Sequence, residues 1–106
     1  MIKIIVVTES KTKKITLLEV KGHAYSGEPG HDLVCAAVSA VVIGGINALE
    51  DLGNYQFIHD SGHVLIETHH ETDEHDSVVL ETILTMLTAI EESSSNYVRI
   101  QRKEEN

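Results

Sequence analysis

Apolar and polar positions alternate in some stretches of this chain and recur every three to four residues in others. The switches between the two periods outline its elements. Ile2–Val7 is rich in β-branched residues and predicts a strand. Glu9–Lys14 is polar and predicts a turn, and Ile15–Lys21 predicts the second strand of a hairpin. Periodicity then disappears. Gly22–His31 carries Gly22, Gly27, Pro29 and Gly30, which marks a loop with wide backbone freedom. From Asp32 to about Leu52 runs the longest regular element. Asp32 suits the N-cap, because its carboxylate can accept free amide hydrogens of the first turn, and Gly53 suits the stop. Leu33, Val34, Ala37, Val38, Val41, Val42, Ile46 and Leu49 lie almost all round this helix. Such coverage predicts burial by a sheet and by a partner subunit. Gly44-Gly45 in mid-helix costs about 1 kcal/mol per glycine relative to alanine, which close approach of another backbone would offset. Tyr55–His59 and Val64–Thr68 flank Asp60-Ser61-Gly62 and predict a second hairpin. His69–Asp76 reads as a polar connector. Ser77 to about Ser93 predicts a second amphipathic helix, with Val79, Ile83, Met86, Leu87 and Ile90 at helical spacing. Tyr97–Gln101 predicts a last strand before a charged tail. The order ββαββαβ predicts one two-layer α+β domain over residues 1–106, a mixed or antiparallel sheet with two helices.

Length agrees with that outline, since 106 residues cover one sheet with two helices but leave nothing for a second core. With no tryptophan and one phenylalanine, the core is expected to be aliphatic. A formal charge of −9 argues against a nucleic-acid binder. It suits a basic partner or basic peptide substrate, and it equally suits mere solubility. A single cysteine excludes an intramolecular disulfide and fits a reducing compartment, hence a cytoplasmic protein. Met1–Thr8 reads as a strand rather than a signal peptide. No apolar run approaches the roughly eighteen residues a membrane helix requires.

The chemistry concentrates at Cys35 and His23. A thiol attacks a carbonyl as thiolate, and a helix N-terminus favours that anion. Cys35 falls three residues after the expected cap, where free amide hydrogens would also face an oxyanion. His23 ends the second strand, and a short glycine-bearing loop leads from it to the helix. A strand end and a helix start joined in this way can lie close enough for a Cys–His dyad. A lone cysteine is more often a buried, inert core residue.

Gly22-His23-Ala24 followed by Gly30-His31-Asp32-Leu33-Val34-Cys35-Ala36-Ala37-Val38-Ser39 resembles the signature of the ribosomal-processing cysteine protease family, Prp. Asn47-Ala48-Leu49 and Thr85-Met86-Leu87 are similar to that family too, and the similarity extends over nearly the whole chain. The resemblance implies Cys35 as nucleophile and His23 as its partner. It implies removal of a short N-terminal extension from a basic large-subunit ribosomal protein, the twenty-seventh in its series. A homodimer and a mobile loop over the site, here Ala24–His31, are implied as well; no cofactor is. Gly22, Ala24, Gly30, Asp32 and Ser39 are the supporting or substrate-binding candidates. Asp32 either caps the helix or orients His23. Ser39, one turn beyond Cys35, either meets the substrate or bonds back to the preceding turn. His31 is a second candidate base.

Two rival readings remain at this stage. One is a non-enzymatic acidic dimer that binds ribosomal or other basic proteins, which needs no reactive thiol. The other is a metal-binding module built on His69, His70, Glu71, Asp73, Glu74, His75 and Asp76, although a polar connector usually stays solvated without a metal. His59 and His63 flank a hairpin tip and are expected to be exposed.

Overall fold

The computed structural model describes residues 1–22 and 31–106, leaving aside the side chains of His31 and Asp32. The elements are β1 (Ile2–Glu9), β2 (Ile15–Lys21), α1 (His31–Asn47), β3 (Tyr55–Asp60), β4 (His63–Thr68), α2 (Glu74–Ser93) and β5 (Val98–Glu105), with a turn of 3-10 helix at Leu52–Asn54. This is the predicted ββαββαβ order. The strands form one sheet in the order β3-β4-β2-β1-β5. Neighbours are antiparallel except β1 and β5, which are parallel, so the sheet is mixed and the fold α+β. Chaining those directions makes β2 parallel to β3 and β4 parallel to β5. Each helix is therefore the crossover between two parallel strands, as parallel connections require.

Alternation along the strands decides where the helices sit. Ile2, Ile4 and Val6 of β1 are buried on one face, in register with Val20 and Leu18 of β2 and with Val98 and Ile100 of β5. Val38 and Val42 of α1 and Leu80, Ile83 and Leu87 of α2 close over them in a single aliphatic cluster. Lys3, Glu19 and Lys21 take the opposite face, where Glu19 meets His63 at 2.7 Å and Lys21 at 3.5 Å.

Four of the boundaries that differ from expectation bear on the packing, and two of them, the end of α1 and the end of β5, have a tertiary cause. Helix α1 ends at Asn47 rather than Leu52. Ala48 and Leu49 donate to Gly45 and Ile46, tightening the last turn, and then Glu50 and Asp51 donate to the carboxylate of Asp76 at 3.0 and 3.1 Å. A side chain from another helix thus takes the amides that would have continued α1. Helix α2 starts at Glu74, three residues early, because Asp73 caps it by accepting from the amide of Asp76 at 2.8 Å. Strand β5 continues to Glu105 through polar residues, because the whole length of β1 is there to pair with it. Helix α1 begins at His31, which puts Asp32 inside the first turn and not at the cap.

The glycine pair in α1 divides into two cases. A Cβ on Gly45 would overlap the side chain of Ile83, so the helices meet here, through a side chain rather than a second backbone. Gly44 faces open space.

Candidate active site

Cys35 is a free thiol, half-buried, one turn into α1 and packed against the edge of the core. It lines a cavity of about 320 Å³ enclosed by α1 on one side and the β3–β4 hairpin on the other. The floor is apolar, built from Val20, Val38, Val42 and Val64. It exists because the helix-facing row of the sheet continues under α1 to the end of the strands. Ser39, exposed and one turn beyond Cys35, lines the same cavity.

Gly22 lines it too. Its φ of +93° is a conformation that side chains resist, and a Cβ there would stand 2.5 Å from the carbonyl oxygen of Met1. Its amide donates to the carbonyl of Gly62 at 3.0 Å, which ties the end of β2 to the hairpin tip. Gly22 is bonded to His23, so the last described residue before the candidate base belongs to the wall of the cavity that holds Cys35. His23, Ala24 and Gly30 lie outside the described residues, as does nearly all of the expected loop Ala24–His31. Asp32 and His31 are described only as helical backbone.

His59 and His63 were expected to be exposed; His59 is exposed and His63 half-buried, and their hairpin forms the far wall of the cavity. His59, Asp60, Ser61, Gly62 and His63 all line the cavity. Their clue lay in strand alternation, which puts His59 on the same face as Tyr55 and Phe57.

Elsewhere the acidic, histidine-rich connector turns out to be structural. Asp76 is completely buried and accepts from the Tyr55 hydroxyl at 2.6 Å, from His75 Nδ1 at 2.8 Å, and from the amides of Glu50 and Asp51. Burial alone would raise its pKa, but these four bonds outweigh it and hold the carboxyl at about 2. Burial and the Asp76 carboxylate push the Tyr55 phenol well up. The hydrogen bond to Asp76 raises the pKa of His75, and the nearby Glu50 carboxylate adds to it. Glu50, His75 and Asp76 bring ligand-type atoms within 4.8 Å of one another. The Asp76 oxygens are already committed to main-chain and phenol donors, however, so the group is built as a helix joint. His69 and His70 stand outside it, and Asn54 instead clamps the main chain of His70 at 2.7 and 3.0 Å. No helix among the described residues is long and apolar enough to cross a membrane.

Comparison with known proteins gives a consistent result. A profile of the cysteine protease Prp family matches residues 1–99. The ribosomal processing cysteine protease Prp of Staphylococcus aureus is 33% identical over 101 residues, spanning 92% of this chain and 95% of that protein. The crystal structure of S. aureus Prp with a covalently linked product peptide superimposes with a TM-score of 0.84 at 32% identity, covering 97% of this chain and all of that one. The S. aureus protease with a substrate peptide gives the same TM-score at 31% identity.

Proposed function

This chain belongs to the cysteine protease Prp family, and from that premise we propose that it removes the N-terminal extension of a large-subunit ribosomal protein, the twenty-seventh in its series, with Cys35 as nucleophile and His23 as base. One observation carries the assignment: Cys35 and Gly22, the residue joined to His23, line one cavity of peptide-binding size. In the reaction, His23 takes the thiol proton and Cys35 Sγ attacks the scissile carbonyl. The tetrahedral intermediate collapses as His23 protonates the leaving amine, leaving an acyl-enzyme thioester. Water then adds with the same imidazole as base, and the carboxylate product departs. The first-turn amides of α1 supply hydrogen bonds to the oxyanion, and the helix dipole favours both negative sulfur and negative oxygen.

Gly22 supports the dyad by holding the entry to His23. Ser39 stands where it can bond to the substrate main chain, and Ala24, Gly30 and Asp32 belong to the motif around them. The reading places the enzyme in the cytoplasm, where ribosomal precursors are made. It also makes the enzyme a homodimer, which gives the exposed apolar groove between the helices an occupant. That groove is lined by Ala40, Val41, Gly44, Val78 and Met86, with Val78 59% exposed. A small stripe on α1 beside a bare Gly44 suits a second helix at short range.

Incubating the enzyme with the extended ribosomal protein and measuring product mass tests the reading. Wild type shortens the precursor, while Cys35→Ala and Cys35→Ser leave it intact with fold unchanged. If Cys35→Ala cleaves as well as wild type, the nucleophile assignment is wrong. Binding without cleavage by wild type would turn the reading toward an acidic docking protein.

A further inference from the structure

Strand register, rather than any motif, singles out another residue in the cleft. His59 pairs with Val64, and Val64 pairs with Val20, a buried core residue under α1. Side chains in one such row share a face, so His59 projects toward the helix layer and into the cavity that holds Cys35. The next pair, Asp60 and His63, alternates to the other face, where His63 is held by Glu19 at 2.7 Å.

A peptide entering this cleft meets an apolar floor of valines, which cannot satisfy its main-chain carbonyls. A carbonyl that gives up water there needs a donor in return. Of the other hairpin side chains lining the cleft, Asp60 accepts only and alternates away with His63, His63 is engaged by Glu19, and the Ser61 hydroxyl sits in the turn beyond the strands. His59 is the ring N–H donor on the correct face. It also stands on a rigid element. Gly62 makes the turn at φ +75°, its carbonyl receives the amide of Gly22, and the His63–Glu19 pair secures the base of the tip.

We infer that His59 is a specificity-determining residue that donates a hydrogen bond to a main-chain carbonyl of the peptide substrate, across the cleft from Cys35. The inference deepens the peptidase reading and rests on it. His59 acts in binding, and the proton transfers stay with the dyad.

The experiment uses a synthetic peptide spanning the N-terminal extension of the ribosomal protein. Binding is measured on Cys35→Ala with His59, His59→Leu and His59→Gln, and cleavage on the same His59 variants with Cys35 intact. His59→Leu weakens binding and raises KM about tenfold, the worth of one hydrogen bond made in an apolar site. His59→Gln, which keeps a donor, recovers most of the loss. The rate of Cys35 alkylation by iodoacetamide stays at the wild-type value in both. Binding and KM of His59→Leu within about twofold of wild type would overturn the inference. So would a fall in kcat with slowed alkylation, since that would place His59 on the thiol. Failure of the peptidase reading shows separately, as binding of the peptide without cleavage by the wild type.

Discussion

Replacing Asp76 with alanine will reveal how the two helices are joined. The carboxylate is completely buried and receives four donors, at 2.6 Å from Tyr55, 2.8 Å from His75, and 3.0 and 3.1 Å from the amides of Glu50 and Asp51. Alanine leaves all four unmade. Water can reach the amides of exposed Glu50 and Asp51 and the exposed ring of His75, so their loss is partly compensated. The hydroxyl of buried Tyr55 gains no such substitute, and a buried donor without a partner costs about 1–3 kcal/mol. Adding the weaker losses and the small cavity, Asp76→Ala is expected to destabilise by about 3–4 kcal/mol. The ionised form also contributes on its own account. A folded pKa of about 2 against an ordinary 3.8 is worth about 2 kcal/mol at neutral pH. Because the folded value is depressed, that contribution is complete above pH 4 or so and disappears as pH falls toward 2. Asp76→Asn keeps the shape without the charge. Its deficit should therefore be about 2 kcal/mol at pH 7 and should shrink as acid neutralises the wild type. Urea unfolding followed by circular dichroism, at pH 7 and near pH 2.5 and at one protein concentration, measures both effects. A deficit for Asp76→Ala below about 0.5 kcal/mol, the range of ordinary surface substitutions, would refute the structural role. A deficit for Asp76→Asn that stays constant with pH would refute the electrostatic part.

Further outcomes follow from the site and the helix contact. His23→Ala should slow both precursor cleavage and Cys35 alkylation at pH 7 by about a hundredfold, the usual worth of a positioned base, and stopped-time iodoacetamide labelling reads the second directly. Gly22→Ala, strained at φ +93° and pressed against Met1, should cost about 1–3 kcal/mol in urea unfolding and lower kcat by moving the entry to His23. Gly45→Ala should cost about 1–3 kcal/mol by overlapping Ile83, and adding Ile83→Ala should recover part of it in a double-mutant cycle; strict additivity would mean that the two side chains never meet. Light scattering should give a dimer at micromolar concentration, and Met86→Lys in the exposed groove should shift it to monomer.

Periodicity alone was enough for the element order, the two hairpins and the aliphatic core, because each depends on which side of a strand or helix an apolar residue occupies. The place of Cys35 one turn into α1 was legible for a similar local reason, since it needs only the chain's own order, whereas its pairing with His23 came from the family resemblance. What local pattern could not contain was contact between distant segments. Helix α1 stops at Asn47 because Asp76, twenty-nine positions later, takes the next free amides. Polar Arg102–Glu105 becomes a strand because β1 offers an edge to pair with. His59 is exposed, as its place beside a hairpin tip suggested, and only sheet register puts it on the face that lines the cleft with Cys35. An amphipathic period reports a residue's own face, while the partner that face meets is decided only when the strands are laid side by side and the helices cross over them.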